Sequence, residues 1–99
     1  MDYEVKLYPR AYRDIEEIYT YISEEKLSPE IAEKLTCRIW NRLRSLQVFP
    51  YAHQERLVGR YAGKGYRQLM IDNYIAIYRI DEKQKTVFVI TIQYQGKNI

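Results

Sequence analysis

The chain predicts an α+β fold, a helical hairpin packed on a mainly antiparallel four-stranded sheet, in the order β-α-α-β-β-β. Three observations lead there. Residues 66–94 hold three strand-like runs, separated only by Asp72-Asn73 and by residues 81–85. Upstream, two long segments carry apolar residues at helical spacing, with a break and restart at Ser28-Pro29. A short strand-like segment precedes both. Ninety-nine residues suffice for one hydrophobic core, so residues 1–99 are expected to form a single domain.

The elements follow in order. Residues 3–8 read as the first strand, and Pro9 then suits the first turn of a helix. Ala11, Ile15, Ile18 and Ile22 fall on one face of a helix running to about residue 25. Asp14, Glu16 and Glu17 lie on other faces of its first half, where negative charge suits the helix dipole. Ser28 is a good N-cap and Pro29 a good first residue for the second helix. That helix sets Ala32, Leu35, Ile39, Leu43 and Leu46 on one stripe and stops near Phe49-Pro50. Joined by so few residues, the two helices are antiparallel neighbours. Arg38, Arg42 and Arg44 read as a solvated face near a helix C-terminus, and Cys37 as buried packing.

Residues 50–65 form a long basic loop with Arg56, Arg60 and Lys64. Loops of that length without structure are often functional. Its glycines do not make a phosphate loop, since no Lys-Ser/Thr follows at the required spacing. In the meander beyond, Asp72-Asn73 forms the first hairpin turn and residues 81–85 close the second.

Composition narrows the function. One cysteine and one histidine exclude an intrachain disulfide framework and a tetrahedral zinc cluster, and no cofactor motif is present. No apolar run reaches the ~20 residues that span a bilayer. The first residues lack a basic then apolar pair of regions, so no secretory signal is read and a cytoplasmic protein is expected. The net charge of +3 is uneven, because residues 50–99 carry eight Lys/Arg against four Asp/Glu. That surplus points mildly to an acidic partner. Eleven of the fourteen aromatic residues are Tyr, a side chain that suits sheet faces and interfaces.

The order of elements, and the residues carrying it, resemble the RelE/ParE superfamily of bacterial toxins over nearly the whole chain. The resemblance runs through Tyr8-Pro9-Arg10-Ala11, through residues 14–22, through Leu46-Gln47-Val48-Phe49-Pro50, and through Gly65-Tyr66-Arg67. Residues 73–80 and Ile92-Gln93-Tyr94-Gln95-Gly96-Lys97 complete it. It implies a toxin encoded beside an antitoxin whose disordered segment wraps and silences it in a hetero-oligomer. One branch of the superfamily cuts mRNA on the ribosome, and the other poisons DNA gyrase.

Messenger cleavage needs groups that activate the 2′-hydroxyl, stabilise the phosphate and protonate the leaving oxygen. The nuclease branch usually places an Arg directly after the tyrosine of its third strand, where this chain has Ile75. Tyr94 matches its terminal catalytic position, and Lys97 a basic residue just beyond. Counting from the two turns sets Ile71 opposite Tyr74, Arg67 opposite Tyr78, Ile80 opposite Thr86 and Tyr74 opposite Ile92. Tyr94 then lies at the Asp72-Asn73 end, with Arg67 and Arg79 roughly 20 Å away at the other. The Gly65-Tyr66-Arg67 and Ile77-Tyr78-Arg79 segments look more like the gyrase branch, which the residues favour. Arg67, Arg79, Arg56, Arg60 and Lys64 are the candidates for gripping the target.

Each has a structural reading beside the functional one. An ion pair with Asp81 or Glu82 would account for Arg67 and Arg79. Tyr94 shares strand parity with Phe88, Ile90 and Ile92, as a core-edge tyrosine would. His53 reads as an exposed loop residue, although with Glu55 it is the candidate base if the nuclease reading holds. A toxin homologue that has lost activity and serves as a binding module is the third reading. The chain ends at Ile99, where many relatives continue with a short tail.

Overall fold

The computed structural model describes residues 2–96. Strand β1 (Glu4–Leu7) leads into helix α1 (Pro9–Thr20), which continues as a π-helical turn over Tyr21–Glu25. Helix α2 (Pro29–Arg44) tightens into a 3-10 turn at Ser45–Gln47. Strands β2 (Arg67–Ile71), β3 (Tyr74–Asp81) and β4 (Thr86–Tyr94) follow. The sheet order is β1-β4-β3-β2, with β1 parallel to β4 and the other neighbours antiparallel. The expected architecture is the observed one.

Both helical stripes face the sheet. Ala11, Ile15, Leu35, Ile39, Leu43 and Leu46 pack with Leu69, Ile71, Ala76, Tyr78, Val87, Val89 and Ile92, while Ile18 and Ile22 close the margin. Pro9 opens α1 as its missing N–H allows. Ser28 occupies the N-cap of α2, but its side chain makes no capping bond; its carbonyl instead accepts from the Ala32 N–H at 3.1 Å. Cys37 is exposed rather than packed. It stands two residues after Leu35, off the buried stripe, so its environment is solvent.

The Asp72-Asn73 turn sets Ile71 against Tyr74 and Arg67 against Tyr78 as expected, with Asp72 at φ 52°. The β3–β4 register departs from the count. Asp81 faces Thr86 and Ile80 faces Val87, so the turn is one residue tighter. A bulge then follows, because Tyr78 faces Val89 while Ile77 faces Thr91, leaving Ile90 unopposed. Tyr74 therefore faces Tyr94, not Ile92. The extra residue also reverses parity, putting Phe88 on the opposite face from Tyr94.

Candidate functional site

The described candidate residues fall in four places, three set by the sheet's two faces and two ends and the fourth in the loop before β2. Tyr94 lies at the turn end on the helix-covered face. Its ring meets that of Tyr74 edge to face at 5.8 Å. Together with Ile18, Tyr21, Ile22 and Ile92 these rings line a groove of about 610 Å³. The π-helical turn swings Tyr21 and Ile22 into its wall, and the Lys26 ammonium sits 5.7 Å above the Tyr21 ring. Burial, then the neighbouring Tyr94 and Tyr21, hold the Tyr74 hydroxyl above its ordinary pKa. Ile75 is buried on the other face, opposite Gln93. Tyr94 and the position where a nuclease carries arginine thus point to opposite sides of the sheet. Lys97 lies outside the described residues.

Asp14 forms the inner wall of the groove. Its carboxylate accepts from the Thr91 hydroxyl, from the Ile92 N–H at 2.9 Å and from the Gln93 amide at 3.3 Å. Read from sequence as a helix-dipole residue, it instead completes the half of β4 that β1 is too short to pair. Spacing carried no sign of this, because it depends on β1 ending at Leu7.

The face of the sheet turned away from the core carries Arg79. Its guanidinium stacks over Phe88 at 4.3 Å and donates to the Tyr8 hydroxyl at 3.2 Å. Beside it the face presents Ile75, Ile77, Thr91 and Gln93, all buried. Arg67, opposite Tyr78, points to the other face. It donates to the His53 carbonyl at 2.6 Å and lies 5.1 Å over the Tyr51 ring. The expected ion pairs with Asp81 or Glu82 are replaced by rings and a carbonyl. A planar, weakly hydrated guanidinium suits both.

Around Arg67 the segment 50–53 is fastened to the sheet. The buried Tyr78 hydroxyl donates to the Pro50 carbonyl at 2.6 Å, and burial pushes its pKa up to about 12. His53 is half-buried, not exposed, with its ring 6.4 Å from that of Tyr78. Burial first, then the Arg42 and Arg67 charges, lower its pKa, so the imidazole is neutral at physiological pH. Glu82 accepts from Tyr3 at 3.0 Å, and from Tyr51 and Lys85. Lys85 first, then the two phenols, hold its carboxyl down to about 2.

Arg56 is buried, 7% exposed. It donates to the Val58 carbonyl at 3.0 Å and the Gln68 side chain at 2.9 Å. Its cation is turned inward, unlike those of the exposed Arg60 and Lys64. Glu55, exposed, forms a β-bridge to Arg67. Among the described residues no three His, Cys, Asp or Glu converge as a metal site requires, and no helix is long and apolar enough to cross a membrane.

Residues 5–99 match the family model of the ParE toxin of the type II toxin–antitoxin system parDE. A search of curated proteins by sequence finds no match. Among solved structures, the chain is similar to one from the chromosomal ParDE toxin–antitoxin system of Pseudomonas aeruginosa, at TM-score 0.77 and 21% identity, covering 93% of this chain and 95% of that one. A chain of the Mycobacterium tuberculosis RelBE2 toxin–antitoxin complex aligns at TM-score 0.64 and 22% identity, over 95% and 99% of the two chains. One from the archaeal RelE–RelB complex of Pyrococcus horikoshii aligns at TM-score 0.64 and 16% identity, over 98% and 99%.

Proposed function

We propose, for a chain that belongs to the ParE toxin family of type II toxin–antitoxin systems, that it arrests bacterial growth by binding DNA gyrase. A cognate antitoxin, small and partly disordered, holds it silent in a hetero-oligomer in the cytoplasm. Similar folds in toxin–antitoxin complexes from M. tuberculosis and P. horikoshii support that partner.

One observation carries the choice of target. The middle of the face turned away from the core is filled by Ile75, Ile77, Thr91 and Gln93, all buried, and none of them exchanges a proton near neutral pH. Tyr94 lies on the opposite face. Cleavage of a phosphodiester requires proton transfer at both the attacking and the leaving oxygen. Poisoning a protein target requires only a binding surface. The purified protein is expected to block gyrase supercoiling while leaving ribosome-bound mRNA intact. Translation arrest with unaffected gyrase reverses the assignment.

The mRNA endoribonuclease reading has one observation in its favour, the Arg79 guanidinium, partly exposed and held in place by Phe88 and Tyr8. On that reading Arg79→Ala lowers ribosome-dependent cleavage, while a loss with Tyr94→Phe would place the site at the turn end instead. Harmless overexpression of folded protein would assign the third reading, an inactive homologue that serves as a binding module.

A further inference from the structure

We infer that residues 57–65 form a pre-shaped docking loop for a protein target, entering an apolar depression with Leu57 and Val58 while Arg60 and Lys64 meet an acidic rim. The inference rests on the target-binding reading above, but not on gyrase being the target.

The ends of the loop are tied together. The Arg56 N–H donates to the Tyr66 carbonyl at 2.7 Å, and the Gln68 N–H to the Gln54 carbonyl at 2.9 Å. With the Glu55–Arg67 bridge, these bonds extend the edge of β2 into a short ladder that closes the loop at its base. The buried Arg56 is a positioning residue, bonding the Val58 carbonyl from within. Above it, Tyr61 packs edge to face on Tyr66 at 5.0 Å, and the Ala62 N–H turns back to the Gly59 carbonyl at 3.2 Å. Gly63 at φ +69° and Gly65 at φ +81° have open space around them. Their value lies in the left-handed backbone, which sets the shape of the loop. Joined ends and internal packing define a compact functional type of loop.

Leu57 and Val58 remain 64% and 61% exposed, adjacent to each other and close in sequence to two exposed cations. Single exposed aliphatics are ordinary, whereas a pair on a pinned loop beside cations has the composition of an interface centre with a charged margin. Ordering the loop in advance lowers the entropy cost of binding. The aliphatics choose between partner classes. A phosphate backbone would reward Arg60 and Lys64 but gains nothing from Leu57 or Val58, whereas a protein with an apolar dent and acidic rim rewards all four.

Two double variants test this, L57S/V58S and R60E/K64E, with melting temperature, growth arrest on induction and inhibition of purified gyrase as readouts. Both are expected to melt like wild type, because all four side chains are exposed. Both are expected to need a dose higher by roughly tenfold or more. Variants that melt and inhibit like wild type overturn the inference. Loss with R60E/K64E alone overturns it in favour of a nucleic-acid contact. If L57S/V58S still arrests growth but escapes neutralisation by the co-expressed antitoxin, the loop belongs to the antitoxin interface and the inference fails. A wild type that arrests growth without touching gyrase overturns only the assigned target, and the variants are then judged on growth arrest.

Discussion

The sheet has two uneven edges, and the molecule covers them in different ways. At one side β1 pairs with β4 only from Thr86 to Val89, leaving the far half of β4 without a neighbour. At the other, β2 pairs with β3 only from Tyr74 to Tyr78, leaving Arg79, Ile80 and Asp81 beyond its reach. The first gap is filled by one buried carboxylate, Asp14, with three donors converging on it. The second is spanned by segment 50–53, tacked down by Tyr78, Arg67 and the Tyr51–Glu82 contact. The same shortfall thus meets a concentrated, dry solution on one side and a distributed, largely wet one on the other. The first is strong and brittle; the second spreads its contribution over several groups.

Asp14→Ala attacks the concentrated side and carries the largest expected effect. It leaves the Ile92 N–H and the Thr91 hydroxyl without their acceptor in a buried setting, while the Gln93 amide keeps the Thr91 hydroxyl oxygen at 2.8 Å. The expected loss is about 3 kcal/mol. For a domain of this size that is a fall of roughly 12–24 °C in melting temperature. Asp14→Asn keeps an acceptor oxygen and recovers part of the loss. A thermal melt of Asp14→Ala within two degrees of wild type, by about the resolution of such a measurement, would mean that β4 does not depend on the clamp, and the contrast between the edges would collapse.

Tyr78→Phe probes the one buried link on the distributed side. It removes the hydroxyl that holds the Pro50 carbonyl and leaves the ring in place. The expected cost is about 1 kcal/mol, or roughly 4–8 °C. Amide hydrogen exchange should quicken around residues 50–53 and stay slow in β4. Equal acceleration at both edges would show that the two closures are one cooperative unit.

Local periodicity made most of this fold legible. The stripes of Ala32, Leu35, Ile39, Leu43 and Leu46, and the Asp72-Asn73 turn, follow from spacing alone. The same stripe already places Cys37 off the buried face, although its residue type argued for burial. What stayed hidden depends on contacts distant in sequence. Ile90 sits among other strand formers, so nothing in composition marks it as the bulge that sends Phe88 and Tyr94 to opposite faces. Arg56 and Arg60 look alike in a basic loop, yet bonds to the Val58 carbonyl and across to Gln68 turn Arg56 inward. The separation of Tyr94 from Arg67 was readable from register. Its position on the face opposite Ile75 was readable too, since setting Tyr74 against Ile92 or against Tyr94 gives Tyr94 the same parity; what the count missed is that Phe88 lies on the other face.

The smallest expected effect belongs to Glu82, and its value lies in its pH dependence. The carboxylate is exposed to solvent, so its bonds to Tyr3, Tyr51 and Lys85 are screened and contribute little. Their sign is nevertheless definite. The folded protein holds the Glu82 carboxyl at about 2 against an ordinary 4.5. A group depressed on folding contributes stability above its unfolded pKa and loses it as pH falls through the folded one. Wild type should therefore melt slightly above Glu82→Gln at neutral pH and low salt. That gap should narrow below about pH 4.5 and close near pH 2, or on adding salt at neutral pH. Gln keeps an acceptor for the two phenols, so the substitution removes charge and little else. A gap that persisted unchanged to pH 2 would mean that segment 50–53 is held by shape and not by charge. The distributed edge would then resemble the Asp14 edge more closely than its exposure implies.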